Sequence, residues 1–281
     1  MTGRAYIGIS GWRYARWRGD FYPKGLQQRR ELEYAAERFN SVEINGSFYS
    51  LQRPSSYRAW AAQTPPGFVF AVKGGRYITH MLRLQNADAA LGNFFASGVL
   101  ALEDRLGPVL WQLPGRQEFE ADRVAAFLSR LPRSTRAAEQ VVLHRDEKLK
   151  GEPVLAAQSD LPIRHALEVR HESWATEEAE ELLREHDVSF VVSDGAGAWP
   201  LLRRITSDHV YVRLHGDEEL YVSGYSPAAL AGWAGEVRGW LDGSGCPDGR
   251  PRDVYVYFDN DAKGYAPWDA LELTRLVRDG G

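Results

Sequence analysis

One cysteine, two methionines and no long apolar run mark this 281-residue chain, and each scarcity excludes something. The lone Cys246 lies in the loop-like run DGSGCPDGRP, so neither a disulfide framework nor a thiolate-bound metal cluster is available. No apolar stretch approaches the ~20 residues needed to cross a bilayer, and MTGRAYIGIS leads into a strand without a secretory hydrophobic region. A cytoplasmic protein without membrane association is therefore expected. Excess charge of one sign is lacking too. Lys and Arg number 34 against 38 Asp and Glu, a net charge of −4. That balance argues against a dedicated duplex-DNA binder, although a local basic patch stays compatible with it. No repeat of fixed period, no low-complexity linker, no G-x-S-x-G and no H-E-x-x-H occurs, so covalent serine chemistry and zincin-type metal chemistry have no motif.

What the chain has is 44% hydrophobic residues arranged in short alternating segments. YIGIS from Tyr6, VEIN from Val42, FVFAVK from Phe68, VLWQL from Val109, ALEVR from Ala166, VYVRLH from Val210 and VYVYFD from Val254 read as strands. Side chains alternate faces along a strand, so Val42/Ile44, Val210/Val212/Leu214 and Val254/Val256/Phe258 each share one face. The other parity carries Glu43, Lys73, Gln112, Glu168, Arg170, Arg213, His215 and Asp259, concentrated near the C-terminal ends. Burying so many charges merely to stabilise a core would cost several kcal/mol each unless they were paired. A functional site is the better explanation.

Helical spacing fills the intervals: Arg29 to Phe39, a short segment opened by Pro54, Asp88 to Leu106, Glu120 to Leu131, Trp174 to His186 with Ser173 as N-cap, Ser226 to Trp240, and a last helix opened by Pro267 and Trp268. A weaker strand, VSFVVSD from Val188, completes a set of eight. Strand-helix alternation implies a mostly parallel sheet with right-handed crossovers. Interior strands of an open doubly wound sheet are apolar on both faces, whereas here one face turns polar toward its C-terminal end. The expectation is one α/β domain over residues 1–281, a (β/α)8 TIM-type barrel with its site at the C-terminal mouth. The stretch from Arg133 to Asp160 is irregular and long for a connection; it is read as an insertion carrying a helix and a flexible loop.

Eight motifs carry a resemblance. IGISGW from Ile7, FYP from Phe21, VEINGSFY from Val42, TPPGFVFAVKGGRYITH from Thr64, LGPVLWQLP from Leu106, LEVRHESW from Leu167, YVRLHG from Tyr211 and YVYFDNDAKGYAP from Tyr255 resemble, in this order and over nearly the whole chain, the DUF72 (YecE-like) family. The resemblance implies a TIM-type barrel with a pocket at its C-terminal face and implies no reaction. Two positions depart from the family pattern. Arg13 stands where a small residue is usual, and Tyr265 stands where a histidine is usual, with Trp268 and Asp269 nearby in place of asparagine. A general-base role for that histidine does not carry over.

Candidate chemistry follows strand by strand. Glu168 and Arg170 share the inward parity of the fifth strand, with His171 opening the loop; a carboxylate beside an imidazole suits proton transfer. Glu43 and Asn45 end the second strand, and Glu43 with Glu168 could form an acid–base pair unless Glu43 is bound in a structural bridge with Lys73. KGGRYITH supplies Lys73, Arg76 and His80, and Gly74-Gly75 permit positive φ and close backbone approach to a ligand. With Arg170, Arg213 and His215 these groups suit a phosphate or carboxylate. Gln112, Asp259, Asn260 and Asp261 would orient a ligand or a water, and Trp12 and Tyr49 would stack on one. His171, His215, Glu43, Glu168 and the two aspartates are also an oxygen and nitrogen donor set for a divalent metal, but Arg and Lys interleave them and repel a cation. No cofactor is expected.

The sequence thus reads as an enzyme performing acid–base chemistry on a small anion-bearing polar ligand, with Glu43, Glu168, His171, His215 and Asp259 catalytic. Hydrolase, lyase and isomerase all remain open. Two alternatives stand beside it: a metal-dependent phosphodiesterase or nuclease, and a non-catalytic metabolite-binding protein.

Overall fold

Parallel strands and intervening helices follow one another along the chain in a computed structural model that describes residues 2–149 and 151–280. The order is β1 (Ala5–Ser10), α1 (Glu31–Ala36), β2 (Ser41–Ile44), α2 (Gly46–Tyr49), α3 (Pro54–Ala62), β3 (Val69–Lys73), α4 (Asp88–Ala96), β4 (Leu106–Gln112) and α5 (Ala121–Leu128). It continues with α6 (Thr135–Val142), β5 (His165–Glu168), α7 (Glu177–Glu185), β6 (Val188–Phe190), β7 (Val192–Asp194), β8 (His209–Leu214), α8 (Pro227–Asp242), β9 (Asp253–Phe258) and α9 (Ala266–Asp279). The fold class is α/β, that of the (β/α)8 TIM type. The eighth expected strand is present in two pieces, because the Phe190 N–H is taken by Thr206 Oγ1 at 2.9 Å instead of by a neighbouring strand.

Two compact units are distinguished, one made of residues up to Glu43 with those from Ser189 onward, the other of Ile44–Val188. In the first, β7, β8, β9, β1 and β2 pair side by side, all parallel. The register sets Ser10 opposite Glu43, and Arg213 in line with Tyr257, Gly8 and Ser41, two residues before that pair, so the long Arg213 side chain reaches up to it. Below them, Tyr6 stacks on Tyr255 at 4.7 Å and Tyr211 lies 5.2 Å from Tyr257, filling the face that Arg213 shares. Val210, Val212, Val254 and Val256 are buried on the opposite face, as alternation requires. Ser226 caps α8 through the Ala229 N–H, and Gly243, at φ +89°, ends it in a left-handed turn.

In the second unit β3, β4 and β5 pair in parallel. The expected helix from Asp88 to Leu106 stops at Ala96: Gly98 takes φ +127° and a 3-10 segment over Val99–Arg105 follows. The cap of α7 is Thr176, not Ser173; Ser173 falls inside a separate 3-10 turn over Glu172–Trp174. The stretch from Arg133 to Asp160 carries α6, capped by Ser134, with its two ends tied to each other and its middle tied to α4. Thr135 N–H donates to the Leu161 carbonyl at 2.8 Å, and Asn93 on α4 exchanges two hydrogen bonds with Asp146. Gly92 explains how closely α4 approaches this segment, since a Cβ there would lie 2.6 Å from the Arg145 nitrogen. Among the described residues, no helix is long and apolar enough to cross a membrane.

Candidate functional site

The expected site residues fall into two clusters, one in each unit. In the first unit Arg213 and Glu43 are both fully buried and face each other across the register just described. Arg213 donates through Nη2 to Glu43 Oε1 at 2.9 Å and through Nε to Oε2 at 3.1 Å. Tyr211 OH donates to Oε2 at 2.6 Å, and Ser10 Oγ donates to Oε1. Glu43 is thus bridged to Arg213, and donors crowd both of its oxygens. Such a carboxylate is an anchoring anion. Its guanidinium partner extends the network, since Nη2 also donates to Asp259 Oδ2 at 2.8 Å.

His215 is buried beside this pair, with Arg213 Nη1 at 3.5 Å from Nε2 and Asp259 Oδ2 at 3.2 Å from Nδ1. Arginine only donates, so Nε2 is the acceptor in the first of these contacts. Trp199 and Tyr221 meet the ring edge-on at 5.3 and 5.2 Å. Tyr221 holds φ +63°, a left-handed conformation costly for a bulky residue. Asn260 is buried and donates to the Ser223 carbonyl and to Asp269 Oδ2 at 2.8 Å, which ties it to the loop after β8 and to α9. Trp12 is buried, its carbonyl accepting from Tyr22 OH at 2.7 Å, and belongs to the packing beneath the loop. Asp261 lies against Tyr14; burial, then the negative charge of Asp259, push its carboxyl well above the usual range. Tyr265 packs against Gly224 at the start of α9.

A metal does not fit this donor set. Arg213 occupies the space between Glu43 and Asp259, and a cation placed there would have to displace it. Among the described residues, no three of His, Cys, Asp and Glu converge as ligands.

The second cluster is built around Phe48. Lys73 Nζ lies 4.6 Å over its ring, and His80 meets it edge-on at 5.2 Å. His80 sits on a π-helical turn, Tyr77–Met81, a rare conformation found disproportionately at functional sites. Its Nδ1 pairs with Thr79 Oγ1 at 2.9 Å. Burial lowers its pKa first; then Lys73, Arg76 and Arg170 lower it further, with Glu168 opposing. Arg170 forks onto Glu168 Oε1 through Nε at 2.9 Å and Nη2 at 2.7 Å, over a carboxylate that is fully buried.

The glycines before this turn do something other than expected. Neither Gly74 nor Gly75 adopts positive φ. Gly74 is required because a Cβ would lie 2.3 Å from the Trp111 ring. His171 caps the 3-10 turn, its Nδ1 accepting from the Ser173 N–H at 3.3 Å, which is the loop-capping alternative to catalysis. Gln112 is buried, with Nε2 3.4 Å from the Leu113 carbonyl; Asn45 opens α2. Tyr49 and Arg76 are exposed.

Sequence reasoning missed Ser10, Tyr14, Tyr211 and Phe48. Tyr211 shares the parity of Arg213 and was legible as an inward residue. Ser10 likewise closes β1, whereas Tyr14 and Phe48 lie beyond strand ends, in segments whose path no periodicity records.

Residues 6–280 match the family described as a protein of unknown function, DUF72. The chain is 23% identical to the UPF0759 protein YunF of Bacillus subtilis (strain 168) over 304 residues, 97% of this chain and 94% of that protein. A DUF72 family protein of Thermotoga maritima MSB8 superimposes with a TM-score of 0.76 at 26% identity, covering 98% of this chain and 99% of that one. D-psicose 3-epimerase of Clostridium cellulolyticum H10 shares the fold at a TM-score of 0.54 and 12% identity, over 98% of each chain. Strand-end motifs, fold and near-complete coverage agree, and the chain belongs to the DUF72 family.

Proposed function

We propose that this protein is an enzyme performing acid–base chemistry on a small polar ligand that carries a phosphate or carboxylate. The observation that carries this reading is the second cluster, where Lys73, Arg76 and Arg170 act on His80 together with Glu168, beside the ring of Phe48. Such a set of cations suits a phosphate or carboxylate. Lys73 acts as a point charge on the aromatic face of Phe48, and Arg170 is held in place by Glu168. His80, kept neutral, accepts a proton from the ligand next to its anionic group. Arg213, expected from sequence to hold the anion, is spent on Glu43 and Asp259. The metal-dependent nuclease alternative loses support for the same reason.

Calorimetric titration with inorganic phosphate and with a series of small carboxylates tests this. Saturable binding that weakens at least tenfold in Lys73→Met and Arg76→Met supports the reading. No binding by the wild type, or binding indifferent to both substitutions, overturns it.

A further inference from the structure

We propose that the cavity between the start of α3 and residues 151–153 binds a small ligand bearing a phosphate or carboxylate, at a site separate from the cluster around His80. The sequence points to this region first. Residues 44–87 contain Arg53, Arg58, Lys73, Arg76 and Arg83 and no Asp or Glu, in a chain with 38 acidic residues. Lys73 and Arg76 belong to the cluster already described. Arg53 and Arg58 instead line a cavity of about 350 Å³ with Pro54, Ser55 and residues 151–153. That volume lies within the range of small-ligand sites.

Other helix arginines find a carboxylate three or four residues away, as Arg30 does with Glu33, Arg184 with Glu180 and Arg275 with Glu272. α3 contains no acidic residue, so Arg58 has no such neighbour. Neither Arg53 nor Arg58 makes a side-chain hydrogen bond or ion pair among the described residues, and both are exposed, within reach of a ligand. Glu152 is the one carboxylate in the lining, so two guanidiniums against it leave the cavity positive. One anionic group balances that charge. A guanidinium forks onto two oxygens of a phosphate or carboxylate, and Ser55 adds a hydroxyl donor.

Both walls are fastened. Pro54 opens α3 at a fixed φ, and Gln52 Nε2 donates to the Gly46 and Ser50 carbonyls at 3.0 Å, holding the chain that leads into Arg53. The opposite wall hangs from the end of α4, where the Val154 N–H donates to the Ala96 carbonyl at 2.8 Å. Gly98, two residues on, lets this junction close on α3, since a Cβ there would lie 2.7 Å from Pro54 Cα. One junction thus positions both sides, and the irregular stretch after α6 serves as the second wall. The site shares no residue with the anion site proposed above and does not depend on it.

Amide NMR of the full-length protein titrated with inorganic phosphate tests this. The expected result is a saturable shift of the Ser55, Gly151 and Glu152 amide signals. Arg53→Met combined with Arg58→Met, at two exposed positions, weakens that binding roughly tenfold or more, because two charge-assisted contacts are lost. Lys73→Met combined with Arg76→Met leaves the same shifts in place, so failure of this site and failure of the His80 cluster read separately. No saturable shift at those amides overturns the proposal. So does a shift that the Arg53 and Arg58 double variant retains, or one that the Lys73 and Arg76 double variant abolishes.

Discussion

Replacing Glu43 with glutamine separates an anchoring carboxylate from a catalytic one. The native carboxylate accepts from Ser10 and Arg213 on one oxygen and from Tyr211 and Arg213 on the other. Glutamine puts an amide nitrogen in place of one oxygen, where two donors already point. Tyr211 can rotate its hydroxyl and accept; an Arg213 N–H cannot. The substitution also removes one of two carboxylates that compensate a fully buried guanidinium. Breaking a buried pair from one side costs about 3–5 kcal/mol, and the lower end applies because Asp259 still holds Nη2. At roughly 2–4 °C per kcal/mol for chains of 150–250 residues, Glu43→Gln melts roughly 6–12 °C below wild type. Urea unfolding followed by circular dichroism gives the same loss as a shifted midpoint at unchanged slope. The double replacement Glu43→Leu with Arg213→Met recovers much of it, because no charge is then stranded. A melting temperature within about 2 °C of wild type for Glu43→Gln refutes the anchoring role.

Other outcomes follow from the second unit. The native His80 imidazole titrates below its ordinary 6.5, so in the window beneath that value the unfolded chain binds the extra proton. Stability therefore falls as pH drops through that window and is complete above it; urea midpoints against pH show a slope that His80→Gln flattens. Lys73→Met removes one of the depressing charges and raises the His80 midpoint read by ring-proton NMR. Arg170→Met removes the forked hydrogen bonds to the buried Glu168 carboxylate and costs about 3 kcal/mol by chemical unfolding. Gly92→Ala forces a Cβ against the Arg145 backbone nitrogen and costs about 1–3 kcal/mol, read as a lower melting temperature.

The amino-acid sequence by itself determined the fold class, because alternation of period two and spacing near 3.6 are local properties that pairing merely completes. It also determined which residues are inward at strand ends: Glu43, Lys73, Gln112, Glu168, Arg213 and His215 are all buried. What it left open was partnership. Glu43 and Arg213 are 170 residues apart, and only the pairing of β2 with β1, of β1 with β9 and of β9 with β8 brings them into contact. Helix ends were less legible than strand cores: Gly98 breaks α4 where the apolar stripe runs on, and Thr176 displaces Ser173 as a cap. The burial of Asp261 against Tyr14 was beyond reach of any pattern, because it depends on the path that the loops after β1 and β9 take through space.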